Sequence, residues 1–288
     1  MSGQRVDFHI HSRSSDGVLD AAALAQIIAA ERLALAVVTD HDIIGESAAL
    51  AALSPDHSVV GIELTTAAGG HIVDLLGLGL RRPDALAAPA NADRRRHNEE
   101  LACRFGAAAL ARAGFALSEL DLGRLGAVHS TFLLAQAVLA APANAARLRA
   151  EGIDGPADFK YRYLAKGAPA SFAAELALFG DFPSPAEGIA AIGAAGGRSV
   201  LAHPGLLTLP DLPAQLRRWR EAGLFGLESE HPAHDGPTRA RLARLARRLG
   251  LYTTYGSDTH HDLRGLASPH PAWSDRRVAL WREILGLE

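Results

Sequence analysis

Val6-Asp7-Phe8-His9-Ile10-His11 decides how this chain is read. Side chains alternate along a strand, so His9 and His11 project to one side and Val6, Phe8 and Ile10 to the other. Two imidazoles side by side at a strand end are poor core material and a good pair of metal ligands. Asp16 follows in the loop Ser14-Ser15-Asp16-Gly17. For the histidine pair alone, a half-buried strand satisfied by hydrogen bonds is an equal alternative. The rest of the chain decides between the two.

Working outward, strand-like runs alternate with helical ones. Leu19 to Arg32 has a helical period, with Asp20 as its cap. Ala34 to Asp40 is a continuous apolar run, as expected of a strand covered on both faces. Ser58 to Thr65 and Ile72 to Leu80 read as the third and fourth strands. Arg198 to His203, Leu224 to Glu230 and Leu251 to Asp258 follow, separated by helical patterns. Strands separated by helices predict right-handed βαβ units and a mainly parallel sheet. Between them the character changes. Asn91 to Arg112 is a long helix, and helical pieces broken by Gly and Pro continue to about Lys166. The domain reading is therefore an α/β domain over 1–90 and 167–288 with a small helical insertion over 91–166.

The chain has 288 residues, 48% of them apolar, and a formal net charge of −3. Near-neutrality argues against a protein that coats nucleic acid, while a nucleotide substrate needs only a local basic patch. No DNA partner is expected. Cys103 is the lone cysteine, which excludes a disulfide framework and a thiolate zinc site. No signal peptide or membrane-spanning segment is legible, so the expected location is the cytoplasm with no membrane partner.

Potential ligands sit at successive strand ends. They are His9 and His11; Asp40 and His41 in Thr-Asp-His-Asp; Glu63; His71 or Asp74; His203 in Leu-Ala-His-Pro-Gly; and Asp258 with His260 in Gly-Ser-Asp-Thr-His. In a parallel α/β barrel all strand C-termini open on one face, so these groups would converge. Imidazole and carboxylate without thiolate suit manganese, iron or zinc. The set is too large for one ion. Two ions bridged by a carboxylate such as Glu63 form the clamp used in phosphoester hydrolysis. Asp40 is expected to support the ligands and not to bind metal itself.

His9-x-His11, Asp16-Gly17, Thr39-Asp40-His41, Gly61-Ile62-Glu63, Ala202-His203-Pro204-Gly205 and Gly256-Ser257-Asp258-x-His260 together resemble the PHP (polymerase and histidinol phosphatase) family of the amidohydrolase superfamily. The resemblance covers essentially the whole chain. It implies a distorted (β/α)7 barrel with two or three divalent ions, most often Mn2+, with Zn2+ or Fe2+ as alternatives. It assigns His9, His11, Glu63 and Asp258 to one ion, Glu63 and His203 to a second, and Asp16, His41 and His260 to a third. One position departs from the pattern. Asp74 stands in Val73-Asp74-Leu75-Leu76-Gly77 where relatives usually have histidine, so Asp74, His71 or His129 is left to complete the second site.

The resemblance also implies a substrate, a small nucleotide or, as an alternative, short RNA. Arg94, Arg95 and the stretch Phe159 to Gly167, with Lys160, Tyr161 and Arg162, resemble the family's basic-aromatic segments, suited to forked contacts with a phosphate. Solvated helix faces are the equal alternative. Glu228 is expected to support the ligands, and His231 or His234 to act as general acid or to contact phosphate. The expected activity is removal of the 3′-phosphate from nucleoside 3′,5′-bisphosphates, such as adenosine 3′,5′-bisphosphate. The alternatives are a 5′-to-3′ exoribonuclease or phosphodiesterase with the same metals, and a non-catalytic metal-bearing regulatory module.

Overall fold

The computed structural model describes residues 3–87, 90–165, 167–260 and 271–287. Lys166 and His261, which adjoin two of the stretches quoted above, lie outside them. The described residues form two compact units. One comprises Met1–Ala68, Val73–Asn91 and Pro183–Glu288; the other comprises Gly69–Ile72 and Ala92–Phe182.

In the first unit β1 (Arg5–Ile10) pairs in parallel with β2 (Leu33–Val38). Helix α1 (Ala21–Glu31) connects them. Asp20 caps it by accepting the Ala23 N–H, and Arg32 closes it in the left-handed conformation. Helix α2 (Gly45–Leu53) follows. The remaining strands are β3 (Gly61–Ala68), β4 (His71–Leu78), β5 (Arg198–Leu201), β6 (Gly226–Glu230) and β7 (Tyr252–Tyr255). They form a five-stranded sheet in sequence order.

β5, β6 and β7 run parallel, whereas β4 runs antiparallel to β5. The expectation of a mainly parallel sheet therefore fails at β4. Only Gly69 and Gly70 connect β3 to β4, both with positive φ, and a parallel pair needs a crossover of a dozen or more residues. Among the described residues the strands form two sheets and no closed barrel. The bridges Ile10↔Thr259 and His41↔Glu63 join the two sheets at their seams.

The strand lengths explain the open ladder. β1 stops one residue short of His11 and β7 three short of Asp258, and β1–β2 contains register shifts. Their terminal backbone groups instead bond singly across the seam: Asp258 N donates to His9 O and His11 N to Thr259 O.

Helices α8 (Pro185–Ala194), α9 (Leu212–Glu221) and α10 (Gly236–Leu249) cover the larger sheet. Leu64, Leu75, Ile192, Leu216 and Leu242 form the core there. On β1, Val6 and Phe8 bury against Trp273 and Trp281, the latter on α11 (Asp275–Leu285). The Phe8 ring lies 5.6 Å from that of Trp273 and 5.0 Å from that of Trp281. The opposite side of β1 is thereby left to Asp7, His9 and His11.

The second unit contains α3 (Ala92–Arg112), α4 (Ser130–Ala140), α5 (Ala145–Ala150), α6 (Pro156–Phe159) and α7 (Ala173–Phe179). Lys160–Leu164 continue α6 as a π-helical turn. Its core holds Leu134, Phe115, Phe159 and Tyr163. Among the described residues, no helix of either unit is long and apolar enough to cross a membrane.

Trp281 is fully buried behind the histidine strand. Trp281→Ala should lower unfolding free energy by about 3–5 kcal/mol, as for other buried aromatic truncations. A denaturation midpoint equal to that of the parent would refute the packing described.

Candidate metal centre

Glu63 is the meeting point of the first unit. It is fully buried on β3. Its Oε2 lies 3.1 Å from His9 Nε2, 3.2 Å from His11 Nε2 and 3.2 Å from His41 Nδ1. Its Oε1 lies 3.1 Å from His203 Nε2. Asp258 Oδ1 completes the first group, 3.5 Å from His9 Nε2 and 3.2 Å from His11 Nε2.

Separations of this size among lone-pair atoms fit a shared ion, because donors held at about 2.0–2.2 Å from one centre lie roughly 3.0–3.5 Å apart. Three groups of donors meet the requirement: His9, His11 and Glu63; Glu63, Asp74 and His203; and His11, Asp16, His41 and His260. Oxygen and imidazole donors without sulfur suit a divalent first-row ion. Glu63 and His11 each belong to two groups, so the groups adjoin.

The imidazoles are oriented from behind. His9 Nδ1 is 3.2 Å from Glu228 Oε1, and His260 Nδ1 is 2.8 Å from the Asp258 carbonyl. Donating there leaves each Nε2 lone pair facing the cluster, the usual arrangement behind a metal-bound histidine. Glu228 Oε2 also accepts the His203 N–H at 2.7 Å. A Cβ at Gly256 would collide with both Glu228 and His9, so a glycine is required for this approach. Asp40 accepts from Ser12 N (2.7 Å), Ser12 Oγ (2.6 Å) and Ser15 Oγ (2.6 Å). It therefore shapes the loop that carries Asp16.

Two residues of the cluster sit on strained backbone. His203 (φ 30°) and Asp258 (φ 52°) are non-glycine residues in the left-handed region. Such conformations cost about 1–3 kcal/mol each and persist where surrounding bonds enforce them. Here the enforcing bonds include Glu228 to His203 N and His9 O to Asp258 N.

Asp74 enters from an unexpected direction. Because β4 is antiparallel to β5, Asp74 lies within its strand and beside the end of β5. Its carbonyl accepts from Ala202 N at 3.0 Å, and its Oδ2 is 3.8 Å from His203 Nε2. His71 and His129 belong to none of the donor groups. His129 caps α4 and pairs with Glu99 at 3.1 Å.

His231 and His234 differ. His234 Nδ1 lies 3.2 Å from the Ser229 carbonyl, and its Nε2 accepts from Gly205 N at 3.0 Å. Both ring nitrogens are committed to backbone, and burial lowers its pKa. His234 thus bridges the loop after β6 and the loop of Gly205 through both ring nitrogens. His231 accepts from Ala233 N at Nδ1, and its Nε2 points to Asp258 Oδ2 at 3.4 Å. Burial opposes its charging, but Asp258 and Glu228 raise its pKa overall.

The basic-aromatic residues lie in the second unit. Arg94 bonds Asp181 at 3.1 Å, and Arg162 bonds the Glu151 carbonyl at 2.7 Å. Lys160 is buried against the Phe132 and Tyr161 rings, Tyr161 is half exposed, and Arg95 is partly buried on α3. Arg94 and Arg162 thus already serve carboxylate or carbonyl partners.

Sequence reading missed Asp7 and Asp42. Asp7 is fully buried, and its Oδ1 accepts from His9 N (3.1 Å) and Ser257 N (3.0 Å), tying β1 to the segment after β7. Its place in Asp-x-His-x-His, on the histidine side of the strand, was the available signal. Asp42 accepts from Thr65 N at 2.7 Å, and desolvation pushes its carboxyl up to about 7.

No family model matches the chain. The phosphoribosyl 1,2-cyclic phosphate 1,2-diphosphodiesterase of Eggerthella lenta is 33% identical over 279 residues, covering 88% of this chain and 93% of that one. The 3′,5′-nucleoside bisphosphate phosphatase of Chromobacterium violaceum is 28% identical over 281 residues (88% and 87%). A 5′-3′ exoribonuclease of Haemophilus influenzae is 28% identical over 269 residues (89% and 90%). An amidohydrolase from C. violaceum, solved with bound sulfate and no metal, superposes with TM-score 0.71 at 26% identity, covering 98% of this chain and 96% of that one.

In the metal-free protein the buried charges hold one another. Burial opposes charging of His11, yet Asp16, Asp258 and Glu63 raise it to about 10. Burial would raise Glu63, yet His9, His41, His11 and His203 hold it well below the carboxylate range. A raised histidine contributes stability that is complete below its unfolded value of about 6.5 and lost as pH rises through the folded value. Metal-free protein should therefore lose stability between about pH 7 and 10. Chemical denaturation across that range checks this, and a flat profile would contradict the pairing. Divalent metal must displace these protons, so calorimetry should show proton release on binding.

Proposed function

This chain belongs to the phosphoesterase family that contains the E. lenta diesterase and is a hydrolase; from that premise we propose that it is a PHP-type, metal-dependent phosphatase that removes the 3′-phosphate from nucleoside 3′,5′-bisphosphates. The observation that carries the reading is the arrangement of three adjoining donor groups around Glu63 and His11. The C. violaceum phosphatase favours this substrate among the relatives. On this reading the two sheets form the walls of a distorted barrel.

His9, His11, Glu63 and Asp258 would hold one ion, Glu63, Asp74 and His203 a second, and Asp16, His41 and His260 a third. Divalent ions there supply Lewis acidity toward water and neutralise phosphoryl charge. Manganese suits the donor set, and zinc or iron would also be accepted. The chain's own residues do the rest. Glu228 and the Asp258 carbonyl keep His9 and His260 in the tautomer that presents Nε2. Asp7 and Asp40 fix the two segments that carry Asp258 and Asp16. His231, with an accepting contact at Nδ1, carries its proton on Nε2 at the rim of the group, where it can be given to a leaving alkoxide. His234 holds the Gly205 loop and takes no proton-transfer role.

The test is phosphate release from adenosine 3′,5′-bisphosphate with manganese. We expect turnover that Asp258→Ala abolishes without unfolding the protein. His231→Gln should lower kcat by about 10²–10⁴-fold with metal content retained. His234→Ala should lower thermal stability more than it lowers kcat. Full activity in Asp258→Ala or His231→Gln would overturn the corresponding role. Cleavage of oligoribonucleotides without release from any bisphosphate would replace the substrate with RNA ends.

A further inference from the structure

Helices α9 and α10 pack side by side on the larger sheet and carry a dense set of exposed arginines: Arg217, Arg218 and Arg220 on α9, and Arg241, Arg244 and Arg248 on α10. Leu242 and Ala246 are buried in the core, with Leu245 and Leu249 packed partly against it. At 100° per residue, Arg241, Arg244 and Arg248 then share one outward flank of α10. The helix holds no acidic residue between Gly236 and Leu249. Among the described residues Arg241, Arg244 and Arg248 have neither a carboxylate nor a carbonyl partner. Arg94, Arg112 and Arg147, by contrast, are paired with acids. In a chain of net charge −3 this is a local excess of one sign.

The position of the stripe gives it direction. α10 starts immediately after the loop of His231 and His234, and Arg239 Nη2 donates to the His231 carbonyl at 3.2 Å. From there the arginines run away from the metal centre over about 10 Å of helix, at 1.5 Å per residue. At the far end Arg220 Nη2 would lie 3.4 Å from a Cβ on Gly250, which extends the positive surface from α10 onto α9.

We infer that this stripe binds the phosphate backbone of a single-stranded RNA whose end occupies the metal centre. The inference rests on the phosphoesterase reading of that centre. Guanidinium forks spaced along a helix flank match repeated phosphates and read no base. An acidic membrane is the poorer partner. A helix lying on a membrane turns its apolar stripe outward, and the Leu242–Leu249 stripe is packed inward.

The test compares the parent protein with R241Q/R244Q/R248Q. The probe is a fluorescent, phosphorothioate-linked oligouridylate long enough to span the stripe, followed by anisotropy across a salt series. Parent protein should bind it, with a log–log salt slope reduced by about 2 in the triple variant, corresponding to three single-strand phosphate contacts. Affinity at low salt should fall about tenfold or more. R241K/R244K/R248K, which keeps the charge, should retain most of the binding. Turnover of adenosine 3′,5′-bisphosphate should be equal in parent and variants, since none of these arginines lines the metal centre.

Equal RNA binding by parent and glutamine variant would overturn the inference, as would binding to phosphatidylglycerol vesicles without binding to RNA. Bisphosphate turnover reads the catalytic proposal separately. Its absence alongside charge-dependent RNA binding would defeat that proposal and leave the stripe standing.

Discussion

A carboxylate at zero exposure, touched by four imidazoles, is the constraint from which the site follows. An ionised group in a dry interior is expensive unless it is paired and hydrogen-bonded. Glu63 meets this condition by gathering His9, His11, His41 and His203 from three segments of the chain. The gathered groups are nearly all lone-pair donors, so the same packing that compensates Glu63 creates a cavity of coordinating atoms. Protons or divalent cations can hold it together. A purely apolar replacement could not, because the histidines would then be left facing one another.

Around that core stand carboxylates that accept backbone N–H groups. Glu228 spans β1 and the end of β5. Asp7 spans β1 and the segment after β7. Asp40 folds the serine-rich loop beneath Asp16. Each ties segments together beside strand ends or register shifts, where the ladder of backbone bonds is interrupted. The interruptions are therefore not defects. They release backbone groups that these carboxylates collect, and they let His203 and Asp258 take positive φ. Aromatic packing on the far side of β1, through Phe8, Trp273 and Trp281, keeps that strand from rotating its histidines away.

Much of this was legible in the amino-acid sequence, for identifiable reasons. Alternation in Val6–His11 and the placement of histidines and acids at strand ends are local patterns, and they pointed to one meeting place. Asp20 as a helix cap was legible because capping depends on a residue and its next turn. What stayed hidden depended on neighbours distant in sequence. The direction of β4 turned on a two-glycine link, and Asp74 reached His203 through a strand pairing rather than a strand end. His231 and His234 look alike in sequence. They separate only when the Ser229 carbonyl and the Gly205 amide are seen to occupy both nitrogens of one of them. The basic segments at 94–95 and 160–162 likewise gave no sign that Asp181 and Glu151 would engage them.

The donors that converge on Glu63 are spread from residue 9 to residue 260, and this has a consequence for how the protein comes into being. A ribosome releases the histidine pair near the start of synthesis, yet the partners that orient and complete it emerge only near the end. The Glu63, Asp74 and His203 group is complete by residue 203, but Asp258 and His260 emerge later, so a nascent chain cannot assemble the whole adjoining set in its intended geometry. Metal acquisition is in effect a late checkpoint: translation must pass His260 before the polypeptide can become an enzyme.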